Sequence, residues 1–359
     1  MVSTRRGRVL TVEVKLMDER KKRVLSAIIN DYIANAEPVG SRTITKRYDL
    51  GVSPATVRNE MSDLTDEGYI EQPHTSAGRI PSAKGYRFYV DNLMERERLT
   101  PAQKQQIREA LAGEFSEIDD YMRSCINMMS RLTKYPAFAL IPASSRGRLE
   151  NIQLVPLNDR QVLAVLQTSV GIVQHKVVDM SDPVDPTELM SIETAMSNAL
   201  RGKELNDISV ELLSRLMTEL HLRERLRAQT LGLLETALQL GSGNRVFTGG
   251  VMNMLSQPEF QDISRLRGLV DLLDEENNVS ELLDKGAGEG PLNVTIGGEM
   301  PVESAKDCSM VVANYFINGE KAGSIGVLGP TRMSYGRTVA LMEQIAHELS
   351  SSLSDKEKK

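Results

Sequence analysis

Ser53-Pro-Ala-Thr-Val-Arg-Asn-Glu-Met61 is the stretch that decides the fold of the first hundred residues. Ser53 is a preferred helix N-cap, and Pro54 follows at the first helical position, where its missing N–H leaves no hydrogen bond unmade. The sequence therefore predicts a helix that starts here, continues to about Glu67 and stops at Gly68.

The two faces of this predicted helix differ in residue type. At about 100° per residue, Val57, Met61 and Leu64 fall on one side and predict a face turned toward a core. The other side carries short or planar groups, which are Ala55, Asn59 and Ser62 flanked by Thr56 and Arg58. Such groups near a helix N-terminus can read base edges in the major groove of DNA. The pattern alone leaves an ordinary solvated helix face as the alternative.

Two helices are predicted before this one. Apolar residues recur at helical spacing from Met17 to Ile33 and indicate a long first helix. After a break at residues 36–40, a short second helix extends from about Ser41 to Tyr48, with Ser41 placed to cap it. Two short helices joined by a turn that contains glycine, after a long helix, are typical of a helix-turn-helix unit.

A hairpin is predicted after the three helices, which completes the element order of a winged helix. Residues 69–72 form its first strand, residues 73–78 its loop and residues 79–81 its return strand, and a fourth helix extends from Ser82 to about Arg98. The hairpin tip can contact a phosphate backbone or a minor groove. The predicted DNA-binding residues are Arg42, Thr43, Ser53, Thr56, Arg58, Asn59, Ser62, His74, Thr75, Ser76, Arg79, Lys84 and Arg87.

The remaining chain predicts an α+β arrangement. Three strands are expected within residues 149–180, a helical block from Asp185 to about Leu240, and further strands near residues 292–296, 309–316 and 323–328. Asn318-Gly319 predicts a tight hairpin turn, and a last helix covers about residues 334–351. Residues 111–132 carry apolar residues at heptad spacing, namely Leu111, Phe115, Ile118, Met122, Cys125, Met129 and Leu132. This seam fits either a contact between two protomers or packing on the chain's own sheet.

Several motifs resemble one protein family. The Ser53–Met61 stretch, Gly68-Tyr-Ile70, Gln72-Pro-His-Thr-Ser-Ala-Gly-Arg-Ile-Pro81 and Gly85-Tyr-Arg-Phe-Tyr-Val90 resemble the HrcA family of heat-inducible transcription repressors. Gly326-Val-Leu-Gly-Pro-Thr-Arg-Met-Ser-Tyr335 is similar to the C-terminal signature of that family. The resemblance covers Met17 to about Leu349. It implies a homodimeric repressor of chaperone operons, which binds double-stranded DNA at an inverted-repeat operator and depends on the chaperonin for its active form.

The resemblance also implies a division into domains. Residues 1–16 are an N-terminal extension, either genuine or the result of translation that begins upstream of Met17, and residues 17–99 are the winged-helix DNA-binding domain. A GAF-like α+β domain comprises residues 100–182 and 243–352, and a mostly helical dimerising domain, residues 183–242, is inserted in it. Residues 353–359 form a polar tail. The strands within residues 149–180 fit either the GAF-like or the inserted part.

Composition and charge agree with a DNA-binding protein more than with an enzyme. Residues 1–98 hold 17 Lys and Arg against 14 Asp and Glu, whereas the other residues hold 26 against 35. A basic end on an acidic body suits a nucleic-acid reader. The chain has two cysteines and four scattered histidines, and its glycine clusters lack the motif of a phosphate loop. We therefore expect a cytoplasmic protein outside the membrane, with no catalytic site, cofactor or metal. A winged-helix regulator that responds to a small ligand in the GAF-like domain is the alternative.

Overall fold

A computed structural model of the chain describes residues 17–74, 77–112, 118–142, 148–169, 173–180, 183, 185–204, 208, 210–219, 244–260, 263–317 and 319–356. Within these residues the fold is of the α+β class, with antiparallel sheets and helices. The predicted extension, residues 1–16, lies outside the described residues. No helix of the described part is long and apolar enough to span a membrane.

The first unit, which we call the head (residues 17–93), contains the predicted helices and hairpin. Its elements are α1 (Glu19–Asn35), α2 (Ser41–Arg47), α3 (Pro54–Asp66), β1 (Ile70–Glu71), β2 (Ile80–Pro81) and α4 (Ala83–Phe88). β1 and β2 pair antiparallel, with Ile70 opposite Pro81. Asp18 caps α1, because its carboxylate accepts a hydrogen bond from the Lys21 N–H at 2.8 Å. The predicted cap of α2 is wrong, since Ser41 is its first helical residue and Gly40 stands at the N-cap.

The fourth helix is shorter than predicted. After α4 the chain makes one π-helical turn, Tyr89–Leu93, and becomes extended at Met94. The following linker lies against the last helix of the chain, and the Glu97 N–H donates to the Gly336 carbonyl at 3.3 Å. The helix stops early because this tertiary contact holds the linker in an extended conformation.

The body, residues 100–142 and 244–356, is built on a five-stranded antiparallel sheet. Its strands are β3 (Ala137–Ile141), β7 (Arg245–Gly249), β8 (Leu292–Ile296), β9 (Cys308–Ile317) and β10 (Glu320–Pro330), in the order β7-β3-β10-β9-β8. The predicted hairpin joins β9 to β10, with Gly319 at a φ of 89° in the left-handed region. Asn318, the other residue of that turn, is outside the described residues.

Helices cover both faces of this sheet, so its strands are buried on both sides. One face packs against α5 (Pro101–Leu111), α6 (Ile118–Thr133) and α11 (Tyr335–Lys356), and the other against α9 (Ile263–Asp274) and α10 (Glu276–Ala287). Successive residues alternate between the two cores, as Ala137 and Ala139 do against Phe138 and Leu140. The head's buried residues are continuous with the first of these cores.

The apolar seam of residues 111–132 packs on the chain's own sheet. Met122, Cys125 and Met129 of α6 are fully buried against the sheet core, which excludes this stripe from a contact between protomers. Burial raises the pKa of Cys125 and of Cys308 to about 12, so both thiols stay protonated and unreactive at neutral pH. Phe115 lies outside the described residues.

The strands of residues 149–180 form a separate unit. β4 (Leu149–Asn158), β5 (Gln161–Thr168) and β6 (Val173–Asp179) make a three-stranded antiparallel sheet that does not pair with the five-stranded one. They share a core of their own with α7 (Pro186–Leu200) and α8 (Val210–Glu219). The sequence leaves these strands open to either the GAF-like or the inserted part, and in the structure they pack with the helices that follow them. We call this inserted part, residues 148–219 where described, the inserted unit.

The end of the chain is more ordered than the predicted polar tail. α11 continues to Lys356, beyond the predicted end near residue 351. Leu353 is 8% exposed and belongs to the core that lies between α11 and the sheet. The helix extends because this leucine adds one more turn to its buried face. Residues 357–359 lie outside the described part.

Candidate DNA-binding surface

The α3 helix has the two faces that its sequence predicts. Val57 and Leu64 are fully buried and Met61 is 5% exposed. Arg58 and Asn59 are exposed on the other side, and within the described residues neither side chain has a hydrogen-bond partner. Unpartnered side chains need not break an internal contact to bind a ligand. This face can therefore offer a guanidinium, an amide and, one turn later, the exposed hydroxyl of Ser62.

An ion pair inside the head was not expected from the sequence. Glu60, which follows the exposed Asn59, is buried, and its carboxylate accepts a hydrogen bond from Arg20 Nε of α1 at 2.7 Å. Lys21 of the same helix pairs with Glu67 at 2.7 Å. These contacts attach the middle and the C-terminal end of α3 to α1, so the exposed face of α3 is held by a fixed support. Their signal in the sequence was weak, because the partners are about 40 residues apart.

The predicted contacts at the start of α3 are occupied by the helix cap. Ser53 Oγ accepts a hydrogen bond from the Thr56 N–H at 3.2 Å and lies 3.0 Å from Thr56 Oγ1. Ser53 is exposed and Thr56 is half-buried. Both hydroxyls therefore have a structural role. Pro54 has no N–H, and the amides of Thr56 and Val57 donate to Ser53, so the Ala55 N–H is what the first helical turn leaves as a donor.

The α2 helix adds a basic edge to the head. Arg42 is exposed, Thr43 is half-buried, and the exposed Lys46 stands one turn after Arg42 on the same face. Lys46 was not among the predicted residues, although the i, i+4 spacing could have indicated it. Arg47 differs from both because it donates to the buried carboxylate of Asp31 at 2.6 Å and holds α2 on α1.

The hairpin is attached to the helices on which it leans. The Arg79 N–H donates to the Val39 carbonyl at 2.9 Å, and the Val39 N–H donates to the Arg79 carbonyl at 2.8 Å. A Cβ atom at Gly78 would come within 2.6 Å of that Val39 carbonyl oxygen, so only glycine fits there. Arg79 Nε donates to Thr65 Oγ1 of α3 at 3.0 Å. Arg79 is thus half-buried and connects the hairpin to α3.

The hairpin tip is only partly described. His74 is exposed, whereas the predicted contacts Thr75 and Ser76 lie outside the described residues. Lys84, at the start of α4, is exposed and already engaged. Its Nζ donates to the Glu67 carbonyl at 3.1 Å and lies 4.4 Å from the centroid of the Tyr69 ring.

Arg87 does not belong to this surface, which corrects the prediction. Its guanidinium forms two hydrogen bonds with the Glu299 carboxylate and another with the Val294 carbonyl of β8 at 2.6 Å. Glu299 is 212 residues away in the sequence, so nothing near Arg87 could have indicated this partner. The side chain turns toward the body because the Glu299 carboxylate and the Val294 carbonyl of β8 accept its hydrogen bonds there. Arg87 therefore joins the head to the body.

Two further features of the described residues concern a metal or ligand site. Within these residues, no three His, Cys, Asp or Glu side chains gather as a group that could hold a metal ion. A surface cavity of about 590 Å³ lies between β7 and α10, with polar walls that include Ser280, Asp284 and Lys285. The candidate site therefore remains the exposed side of α3, the basic edge of α2 and the hairpin.

Comparisons with known proteins identify related chains. The family model of the HrcA protein C-terminal domain matches residues 119–339. The heat-inducible transcription repressor HrcA of Pelotomaculum thermopropionicum is 40% identical over 334 residues, which are 93% of this chain and 96% of that one. The protein of the same name from Moorella thermoacetica is 41% identical over 338 residues, with 94% and 98% covered.

One solved structure shares the fold of this chain. It is the crystal structure of a hypothetical protein at 2.2 Å resolution, with a TM-score of 0.64 and 24% sequence identity. The match covers 94% of this chain and 99% of that one. The arrangement of head, body and inserted unit thus has an experimental counterpart.

Proposed function

Because this chain belongs to the HrcA family of heat-inducible transcription repressors, we propose that it represses transcription by binding an inverted-repeat DNA operator through its head. The observation that carries this proposal is the exposed side of α3, where Arg58 and Asn59 have no partner within the described residues. The three helices and the hairpin of residues 17–81 have the element order of a winged helix.

Base reading is assigned to the exposed side of α3. Arg58 can donate two hydrogen bonds to a guanine, and Asn59 can pair with the N6 and N7 edge of an adenine. Ser62 extends the same side by about one turn. The ion pairs of Glu60 and Glu67 support this assignment, since a helix fixed at its middle and its C-terminal end places these side chains reproducibly.

Contacts to the phosphate backbone are assigned to the flanks of α3. Arg42 and Lys46 provide positive charge on one flank, and the Ala55 N–H provides a donor at the start of the helix. On the other flank is the exposed His74. Thr75 and Ser76, which follow it in the sequence, stay predicted contacts. Lys84 can reach a phosphate only by giving up its bond to the Glu67 carbonyl.

We assign dimerisation to the inserted unit. Its sheet buries one face under α7 and α8, while the other face exposes Val155 at 44%, Leu157 at 50% and Val177 at 46%. Val155 lies opposite Leu163, and Leu163 lies opposite Val177. Val155, Leu163 and Val177 therefore form one apolar row across all three strands. A second copy of this chain is the proposed occupant of this face, because the inserted part is the dimerising one in the family that the motifs resemble.

The test of operator binding begins with selection from a library of random-sequence duplexes. We expect the purified full chain to enrich an inverted repeat whose half-sites are separated by whole turns of the double helix. Affinity for the complete repeat should exceed that for one half-site by two orders of magnitude or so, on the basis of effective concentration. Enrichment of no sequence, or of a single half-site without symmetry, would contradict the proposal.

Chaperonin is proposed as the second partner, on the basis of the family alone. Operator binding is measured with the full chain before and after mild heating, with and without purified chaperonin and its nucleotide. We expect heating to abolish binding and chaperonin to restore it. Recovery with a small-molecule extract in place of chaperonin would instead favour a GAF-like domain that senses a ligand.

A further inference from the structure

The end of α1 receives its positive charge from the body. The last turn of α1 contains no basic residue, although the carbonyl groups there lack helical partners and carry partial negative charge. Arg332, about 300 residues later, fills this place. Its Nη1 donates to the Ile33 carbonyl of α1 at 3.3 Å.

The guanidinium of Arg332 is held from a second side. Nε and Nη2 donate to the two carboxylate oxygens of Glu259, and Nη2 also donates to Gln257 Oε1 at 3.3 Å. The Arg332 side chain is 13% exposed and the Glu259 side chain 24%. A planar guanidinium that donates to partners on two sides fixes their relative orientation, whereas a surface ion pair does not.

Neighbours of Arg332 touch the head as well. The Tyr335 ring packs on Tyr86 of α4 with centroids 5.9 Å apart, and its hydroxyl donates to the Thr331 carbonyl at 2.6 Å. A Cβ atom at Gly336 would lie 2.5 Å from the Glu95 carbonyl oxygen of the linker. The five residues 332–336 thus contact the head and its linker at three points. We call these residues, together with Gln257 and Glu259, the joint.

The joint also lies next to the inserted unit along the chain. Gln257 lies between two 3-10 segments, Val251–Ser256 and Pro258–Phe260, and Glu259 lies in the second. Both segments follow β7, the strand in which the described chain resumes after the inserted unit. Arg332 and Tyr335 belong to the Gly326–Tyr335 signature, to which operator binding alone assigns no role. One side chain therefore connects α1, the body and the segment that returns from the inserted unit.

We propose that Arg332 is a positioning residue for operator binding, which fixes the angle of the head on the body through Ile33 and Glu259. This inference rests on the proposed function. Two heads of a dimer bind one operator only when their spacing matches that of the half-sites. A joint that allows each head to swing lowers the effective concentration of the second head at its half-site, and it leaves the contacts of each head unchanged.

The experiment compares wild type with Arg332→Gln and Glu259→Gln on three kinds of DNA. These are the selected operator, one isolated half-site, and a series of operators whose half-site spacing changes one base pair at a time. We expect each variant to bind the operator about tenfold more weakly, on the scale of effective-concentration effects, and to show a flatter dependence on spacing. Half-site affinity should equal that of wild type. The double variant should match Arg332→Gln, because Glu259 acts on the head through Arg332 in this proposal.

A matched control separates positioning from loss of stability. Arg108→Gln breaks another arginine–glutamate pair, Arg108 with the buried Glu348, which lies within the body. Thermal unfolding of all variants reports stability, and the near-isosteric Glu259→Gln provides a folded variant if Arg332→Gln is impaired. Arg108→Gln should show the wild-type dependence of operator affinity on half-site spacing, whatever its effect on stability.

The outcomes distinguish the two proposals. An unchanged spacing profile and an unchanged ratio of operator to half-site affinity in both joint variants would overturn the positioning role. Equal losses on the operator and on the half-site would overturn it too, since the joint would then act on the head itself. Failure of wild type to prefer any inverted repeat would instead contradict the proposed function.

Discussion

Three arginines of the head carry the same charge and have different environments. Arg58 projects from α3 and has no partner within the described residues, and Arg79 connects the hairpin to α3. Arg87 donates hydrogen bonds to the body. The sequence presented all three as basic residues near a DNA-binding helix. Their hydrogen-bond partners, not their charge, separate the candidate base reader from the two structural residues.

Replacement of the base readers should weaken binding in a way that depends on sequence. Arg58→Ala and Asn59→Ala should each cost about 1–3 kcal/mol of operator binding and reduce discrimination at one base pair. Titration of the operator and of its single-base variants measures both effects. Arg337→Ala is the control, since this exposed arginine lies on α11 of the body. Unchanged discrimination in both variants would remove α3 as the base reader.

Salt dependence should separate Arg42 from Arg87. Arg42→Ala removes a proposed phosphate contact, so the slope of log K against log salt should become less negative by about 0.9. Arg87→Ala should leave this slope unchanged, because its guanidinium is already paired with Glu299. Titrations at several salt concentrations provide the slopes. A less negative slope of log K against log salt for Arg87→Ala would mean that its side chain leaves Glu299 to contact DNA.

At the scale of elements, α3 combines a cap and a binding surface in the same residues. Ser53 satisfies the Thr56 N–H and stands where the helix would meet DNA. The ion pairs from α1 fix the middle and the other end, so stability and the proposed DNA binding would depend on overlapping parts of one helix. A substitution here affects both, and only a pair of variants can separate them.

Two substitutions of Ser53 should separate capping from binding. Ser53→Ala should lower the free energy of unfolding by about 1 kcal/mol because the cap is lost. Ser53→Asp should keep the stability, since aspartate caps as well as serine, and should weaken DNA binding through repulsion of phosphate. Urea unfolding and operator titration measure the two quantities. Equal operator affinity of Ser53→Asp and wild type would place Ser53 away from the DNA.

At the scale of the whole molecule, three units with different tasks are built around two sheets. The head continues into one core of the body, whereas the inserted unit has a core of its own. An apolar row remains exposed on the inserted sheet. This arrangement suits a molecule in which one unit pairs two copies and the joint transmits their spacing to the heads.

A charge in the exposed row should separate the two copies. Val155→Lys should convert the dimer to a monomer in sedimentation experiments, because lysine in an apolar interface loses its hydration. Operator affinity should fall toward that of one half-site, and half-site binding should persist. Asn198→Lys, on the exposed side of α7, is the control. A dimer that survives Val155→Lys would place the protomer contact elsewhere.

The sequence by itself determined the elements whose signals are local. Capping at Ser53, helical spacing along α3 and the hairpin between β9 and β10 each depend on residues within a few positions of one another, and the structure confirms them. The candidate base readers could be predicted for the same reason, since a helix face follows from spacing alone. Their role on DNA stays a prediction.

Only the tertiary structure decided what depends on residues far apart in the chain. Arg87 pairs with Glu299, and the apolar seam of α6 packs on the chain's own sheet. β4, β5 and β6 share a core with the helices of the inserted unit. Arg332 likewise acquired its place at the end of α1 through a contact across about 300 residues. Periodicity tells which side of an element is apolar, but the partner that covers this side is fixed by the packing of the complete chain.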